Sequence, residues 1–129
     1  CVIGLELEKA EYDGIEVFIN GTVPENILIH LEEFHNRKTN VIDRMGLDNK
    51  YFKLCYQKNT SVIAFNRGGS IFFNIDYFDI NETEEQFFWR WFFTTCHELA
   101  HNEESCHNKR FVYVFQQILG EYIHVINNH

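Results

Sequence analysis

The chain has 129 residues, 45% of them apolar and 16% aromatic, enough for one domain with one core and too few for two. One Pro and 7 Gly leave no room for a low-complexity linker. A formal charge of −8, with Lys and Arg scattered rather than clustered, argues against a direct nucleic-acid surface.

In chain order, the first expected elements are strands. Val2 to Lys9 alternates weakly, Tyr12-Asp13-Gly14 signals a turn, and Ile15 to Ile19 alternates cleanly. A short hairpin follows from that pattern, closed by Asn20-Gly21. Thr22-Val23-Pro24-Glu25 reads as a helix start with Pro in the first turn. Ile27, Leu31, Phe34, Val41 and Met45 share one helical stripe as far as Gly46, a C-terminal stop. The polar stretch His35 to Asn40 is where this helix is expected to break.

Phe52 to Gln57, Ser61 to Asn66 and Ser70 to Asp76 read as three strands, separated by turns at Lys58-Asn59-Thr60 and Arg67-Gly68-Gly69. An antiparallel meander is expected, with Ser70 to Asp76 or Ser61 to Asn66 on the sheet edge beside a cleft, open to pairing with an extended peptide. Ser70 to Asp76 is favoured, with Asn74 and Asp76 facing the cleft or its rim. Thr83-x-x-Gln86 is a capping box. It opens a helix from about Glu84 to Asn102 that is apolar almost all round, so it should be buried. A last helix is expected from about Lys109 to Val125. The layout is α+β in one domain spanning 1–129.

No apolar run reaches membrane-spanning length. The densest, Phe87 to Thr95, is short and is interrupted by Arg90. Of the four cysteines, Cys1, Cys55, Cys96 and Cys106, none forms a C-x-x-C pair. Free thiols in a reducing compartment are expected, although the sequence leaves a Cys55–Cys96 or Cys1–Cys106 bridge open. Asn20, Asn59 and Asn81 each begin an N-x-S/T triplet, which matters only in a secreted protein; no signal peptide is visible. The chain opens on Cys1 and its single Met is Met45. A piece of a longer, intracellular and cytoplasmic protein is therefore expected.

The chemistry concentrates in His97-Glu98-Leu99-Ala100-His101, followed by His107. Residues four apart share a helix face, so His97 and His101 can hold one metal ion. Glu98, beside the first of them, can reach a water there. This is zinc-hydrolase spacing. His107 follows six residues after His101, far enough for the chain to turn back. Three imidazoles leave a fourth position on zinc open, as catalysis requires. Glu121, on the next helix, is the rival third ligand. Cys106 is a softer one, expected to point away because a thiolate would displace the water. Glu103 and Glu104 sit too close to the helix end. The plain alternative is that these histidines are ordinary core or surface residues. Tyr113, Tyr122, His124 and Arg110 are possible oxyanion donors, each better read as packing or a solvated charge.

His97-Glu98-Leu99-Ala100-His101-Asn102, then His107-Asn108 and Phe111, resembles the H-E-L-x-H-N-x4-H-N-x2-F signature of small zincins of the WLM and SprT-like kind. Val23-Pro24-Glu25-Asn26, Ala64-Phe65-Asn66-Arg67-Gly68-Gly69, Phe72-Phe73-Asn74 and the run from Thr95 to Asn102 are similar to the C-terminal domain of large sacsin-like fungal proteins. The resemblance covers about Val23 to Tyr122. It implies a minimal zincin fold, zinc held by His97, His101 and His107, Glu98 as general base, and a multidomain parent with a GHKL-type ATPase module. Two positions depart from the pattern. Cys106 stands where relatives often have a small residue or Pro, and Glu104 where longer zincins have Gly for a tight turn. Glu104 is expected to make that turn at some strain if its φ is positive.

A zinc-dependent endopeptidase acting on peptide or protein is thus the leading expectation, with no nucleic acid or membrane involved. A zinc-stabilised peptide-binding or scaffolding module is the second. It would keep the histidines but have no need of Glu98. A zinc amidase is the third.

Overall fold

The computed structural model describes residues 7–58 and 60–128. Residues 2–6 of the first expected strand and Asn59 of one expected turn lie outside them. The described residues form an α+β fold with a five-stranded mixed sheet and four α-helices. The hairpin is β1 (Glu8–Tyr12) and β2 (Ile15–Ile19), paired antiparallel. Asp13 and Gly14 both take positive φ, 52° and 82°, which is the two-residue turn that matches strand twist.

The first helical segment breaks elsewhere than expected. Helix α1 (Glu25–Leu28) is a single turn and α2 spans Leu31–Arg44. The interruption falls at Ile29 and His30, and 35–40 is continuous helix. The polar run stays helical because Lys38 is the one member buried among the α2 core residues, and its amine is satisfied. Lys38 Nζ donates to the Phe52 carbonyl at 2.9 Å. Gly46 at φ 73° ends the helix as expected, with Leu47 N–H returning to the Ile42 carbonyl.

Burial pushes the Lys38 amine down to about 8, with the positive charge of Lys53 adding to the effect. The folded chain therefore releases this proton near pH 8, whereas an unfolded lysine keeps it to about 10.5. Native stability contributed by this site rises with pH across that window. Cys55 and Cys96, pushed up to about 12 by burial, act in the opposite sense above pH 9, so a difference measurement is needed. Urea unfolding of Lys38→Met and wild type should show the gap between them, variant minus wild type, falling by about 1–3 kcal/mol from roughly pH 7.5 to 10.5. A pH-independent gap would show that Lys38 titrates normally.

The expected meander is corrected. Strands β3 (Phe52–Tyr56), β4 (Ala64–Arg67) and β5 (Ser70–Asn74) give the sheet order β1-β2-β3-β5-β4. Strand β2 pairs parallel with β3, and β3 parallel with β5; of the three strands expected to form the meander, β4 and β5 alone pair antiparallel. The favoured edge assignment is corrected with it. Strand β5 is flanked on both sides, and the edge at this end of the sheet is β4, which overlaps the Ser61 to Asn66 alternative.

The physical cause is Asn74. It is completely buried and faces no cleft. Its amide donates to the carbonyls of Gln57 and Val62 and accepts from the N–H groups of Gln57 and Asp76. That side chain fastens both ends of the 57–62 connection to the end of β5. The chain leaving β3 is thereby carried past β5 before β4 forms.

Alternation along β5 sends Phe73 and Phe72 to opposite faces. Phe73 joins the helix-side core, 5.2 Å from Trp91. Phe72 stacks on Phe65 at 4.8 Å on the other face. Cys55 belongs to that second cluster and Cys96 to the helix-side core. Opposite faces explain why both are free thiols; Cys106 is free and exposed. Helices α3 (Glu84–His101) and α4 (Lys109–Asn127) complete the domain. The Thr83–Gln86 capping box is formed. Phe34, Phe87 and Trp91 lock α2 to α3 through edge-on ring contacts. Among the described residues, no helix is long and apolar enough to cross a membrane.

Candidate metal centre

Helix α3 delivers the first two histidines from one face, as the four-residue spacing requires. The third comes from the loop before α4. The Nε2 atoms of His97, His101 and His107 form a triangle with edges of 3.0, 3.1 and 3.3 Å. A nitrogen cannot donate and accept in the imidazole plane at once, so three facing Nε2 atoms cannot satisfy one another. They can all direct lone pairs at one cation. A small divalent ion about 2.1 Å from each imidazole holds its ligand atoms roughly 3.4 Å apart in a tetrahedral site. The donor set fits. His97, His101 and His107 form a group able to hold a metal ion. Neither Glu121 nor Cys106 belongs to it.

The ligand states also fit. His101 Nδ1 lies 3.1 Å from the Glu104 carbonyl. A carbonyl only accepts, so Nδ1 carries the proton and Nε2 presents its lone pair. Burial, then the neighbouring His101 and His107, hold the His97 imidazole below its ordinary pKa, which keeps it neutral and ready to ligate. Phe111 forms the floor, with its ring centroid 5.0, 4.6 and 5.0 Å from those of His97, His101 and His107. It is placed by Asn108, whose side chain caps α4 by accepting from Phe111 N–H at 2.9 Å.

Glu98 is 8% exposed, and burial pushes its carboxyl up to about 7. The Asn66 amide on β4 donates to the Glu98 main-chain carbonyl at 2.6 Å and reaches Oε1 at 3.4 Å. The edge strand and the carboxyl are thus joined by one side chain. In the sequence Asn66 stands as the end of an expected strand and as a motif position; the signal of its further role is a polar residue at a helix-facing strand position.

A cleft of about 960 Å³ contains the three histidines and Glu98, with residues 61–67 along one wall and Phe93 and Phe115 among its apolar lining. The free edge of β4 can be assigned atom by atom. Asn74 N–H donates to the Ile63 carbonyl at 2.9 Å, in register with the Ala64↔Phe73 ladder. Bonding alternates along an antiparallel pair. Ile63, Phe65 and Arg67 therefore face β5, while Ala64 and Asn66 turn their backbone N–H and C=O groups outward. Tyr113, Tyr122, His124 and Arg110 do not line the cleft. Arg110 pairs with Glu104 instead.

No protein-family model, curated protein or solved structure matches this chain.

Proposed function

We propose that this domain is a zinc-dependent endopeptidase with a minimal zincin-like fold. The observation that carries the proposal is the pairing of a three-imidazole triangle with a buried carboxyl one residue from its first member, both in a cleft walled by an unpaired strand edge. His97, His101 and His107 hold the ion. The chemistry zinc supplies there is Lewis acidity toward a carbonyl and a lowered pKa for water. The Glu98 carboxylate takes the proton of the attacking water and returns it to the leaving amine. Ala64 and Asn66 pair with an extended peptide by strand addition. Phe93, 46% exposed, and Ile63, 38% exposed, offer it an apolar wall. Glu98 favours an enzyme over a silent peptide-binding module, which would need the histidines alone.

The test joins metal analysis to cleavage of an unfolded protein substrate. One zinc per chain and time-dependent cleavage are expected. A peptide N-methylated at the two amides that pair with the Ala64 and Asn66 carbonyls should be a poor substrate. Zinc binding without cleavage would favour the scaffolding module. Failure to bind zinc would remove both.

A further inference from the structure

Helix α3 passes into α4 through residues 102–108 without a left-handed residue. Asp13 is the only described non-glycine with positive φ, so Glu104 makes the turn with no left-handed strain. Four separate contacts meet on this residue. Its N–H donates to the Ala100 carbonyl at 3.0 Å, closing the end of α3. Its carbonyl accepts from His101 Nδ1–H at 3.1 Å. Its Oε1 accepts from Cys106 N–H at 3.3 Å, next to His107. Its Oε2 lies 3.4 Å from Arg110 Nε in the first turn of α4. The side chain is 19% exposed. Glu103 next to it is exposed, and no hydrogen bond or ion pair of its side chain occurs among the described residues.

A backbone carbonyl exists at every position, so holding His101 does not by itself require glutamate. What requires it is keeping that carbonyl in place while the same residue sets the path of the loop bearing His107. The carboxylate does this by holding Cys106 N–H on one oxygen and Arg110 on the other. Groups that orient metal ligands in this way typically set metal affinity by about 10–100-fold.

We propose that Glu104 is a positioning residue for the metal centre, registering the His107 loop against His101. The proposal rests on the zinc reading above. Zinc affinity by chelator competition, on the whole chain, is the measurement. Glu104→Ala should weaken zinc by roughly 10–100-fold, while its metal-free melting temperature stays close to wild type. Glu104→Gln keeps an acceptor for Cys106 N–H but loses the charge facing Arg110, and should lose affinity to a smaller degree. Glu103→Ala removes the same charge one residue away and should leave affinity unchanged. Equal affinity in Glu104→Ala and Glu103→Ala overturns the positioning role. So does an equal loss in both, which would mean only long-range attraction of a cation. If Glu104→Ala fails to fold, Glu104→Gln against Glu103→Ala decides on the same terms. A wild-type chain that binds no zinc overturns the zinc reading and this proposal together. A wild type that binds, with variants that bind equally well, overturns this proposal alone.

Discussion

Glu98→Gln should abolish measurable peptide cleavage, a loss on the order of 10²-fold or more, with zinc still bound. The substitution suits this site because it changes one property. The amide has the shape of the carboxylate and still accepts from Asn66 at the position now 3.4 Å from Oε1. None of the three ring nitrogens is touched. What is lost is the ability to take a proton. The same variant should gain stability in its metal-free form. The Glu98 carboxyl titrates near 7 when folded and near 4.5 when unfolded. A raised carboxyl contributes stability below 4.5 that disappears as pH climbs through 7. Above pH 7 the native state therefore carries a cost that glutamine does not, on the order of 1–3 kcal/mol. Higher thermal stability with no cleavage is the signature of a group kept for its chemistry at the expense of the fold. Cleavage by Glu98→Gln at the wild-type rate would refute Glu98 as the base.

On the proposed endopeptidase reading, Asn66 would be the pivot of the substrate geometry. Its backbone faces the open side of β4, where an extended chain would pair, and its side chain reaches Glu98. A peptide drawn onto that edge is then registered against the residue that would move the proton, through rigid strand and helix rather than through a loop.

Local features of the fold were legible. The His97–His101 spacing needs only a helix, and α3 announces itself through its capping box and apolar girth. The Asp13-Gly14 turn and the Gly46 stop depend on backbone preferences within a few residues. Strand order was not legible. Ser61 to Asn66 and Ser70 to Asp76 carry similar alternation, and alternation does not say which strand is flanked. The deciding contacts, from the Asn74 amide to Gln57 and Val62, span 17 and 12 residues. The spacing of His107 leaves room for the chain to turn back, and the structure brings it into the triangle. The manner of its approach is not legible, because Glu104 makes the turn without glycine, through a bond from Cys106 N–H and an ion pair to Arg110 that exists only once α4 is in place. The break between α1 and α2 was misplaced for a related reason. Lys38 looks like a solvated residue until its amine finds the Phe52 carbonyl.

His101→Ala should remove the metal. His101 sits between the other two ligands, 3.1 Å from His97 Nε2 and 3.0 Å from His107 Nε2, and it is the ligand whose second nitrogen is anchored to the loop. Removing it leaves two nitrogens 3.3 Å apart, one of them on a loop that has lost a tether. Zinc affinity should fall by on the order of 10³-fold, about one ligand's share of a typical site. The consequence for stability follows from mass action. With zinc at about a hundred times its Kd, binding to the native state alone adds about 2.7 kcal/mol, which for a chain of this size raises Tm by roughly 10 °C. Wild type should therefore melt higher with zinc than with a chelator, and His101→Ala should melt at one temperature in both. In chelator the two proteins should differ little, because the His101 ring is only partly buried and its Nε2 faces two other nitrogens that cannot both satisfy it. Scanning calorimetry with and without zinc reads all four states. A zinc-dependent rise in His101→Ala equal to that of wild type would mean that a fourth donor, and not the triangle, holds the ion.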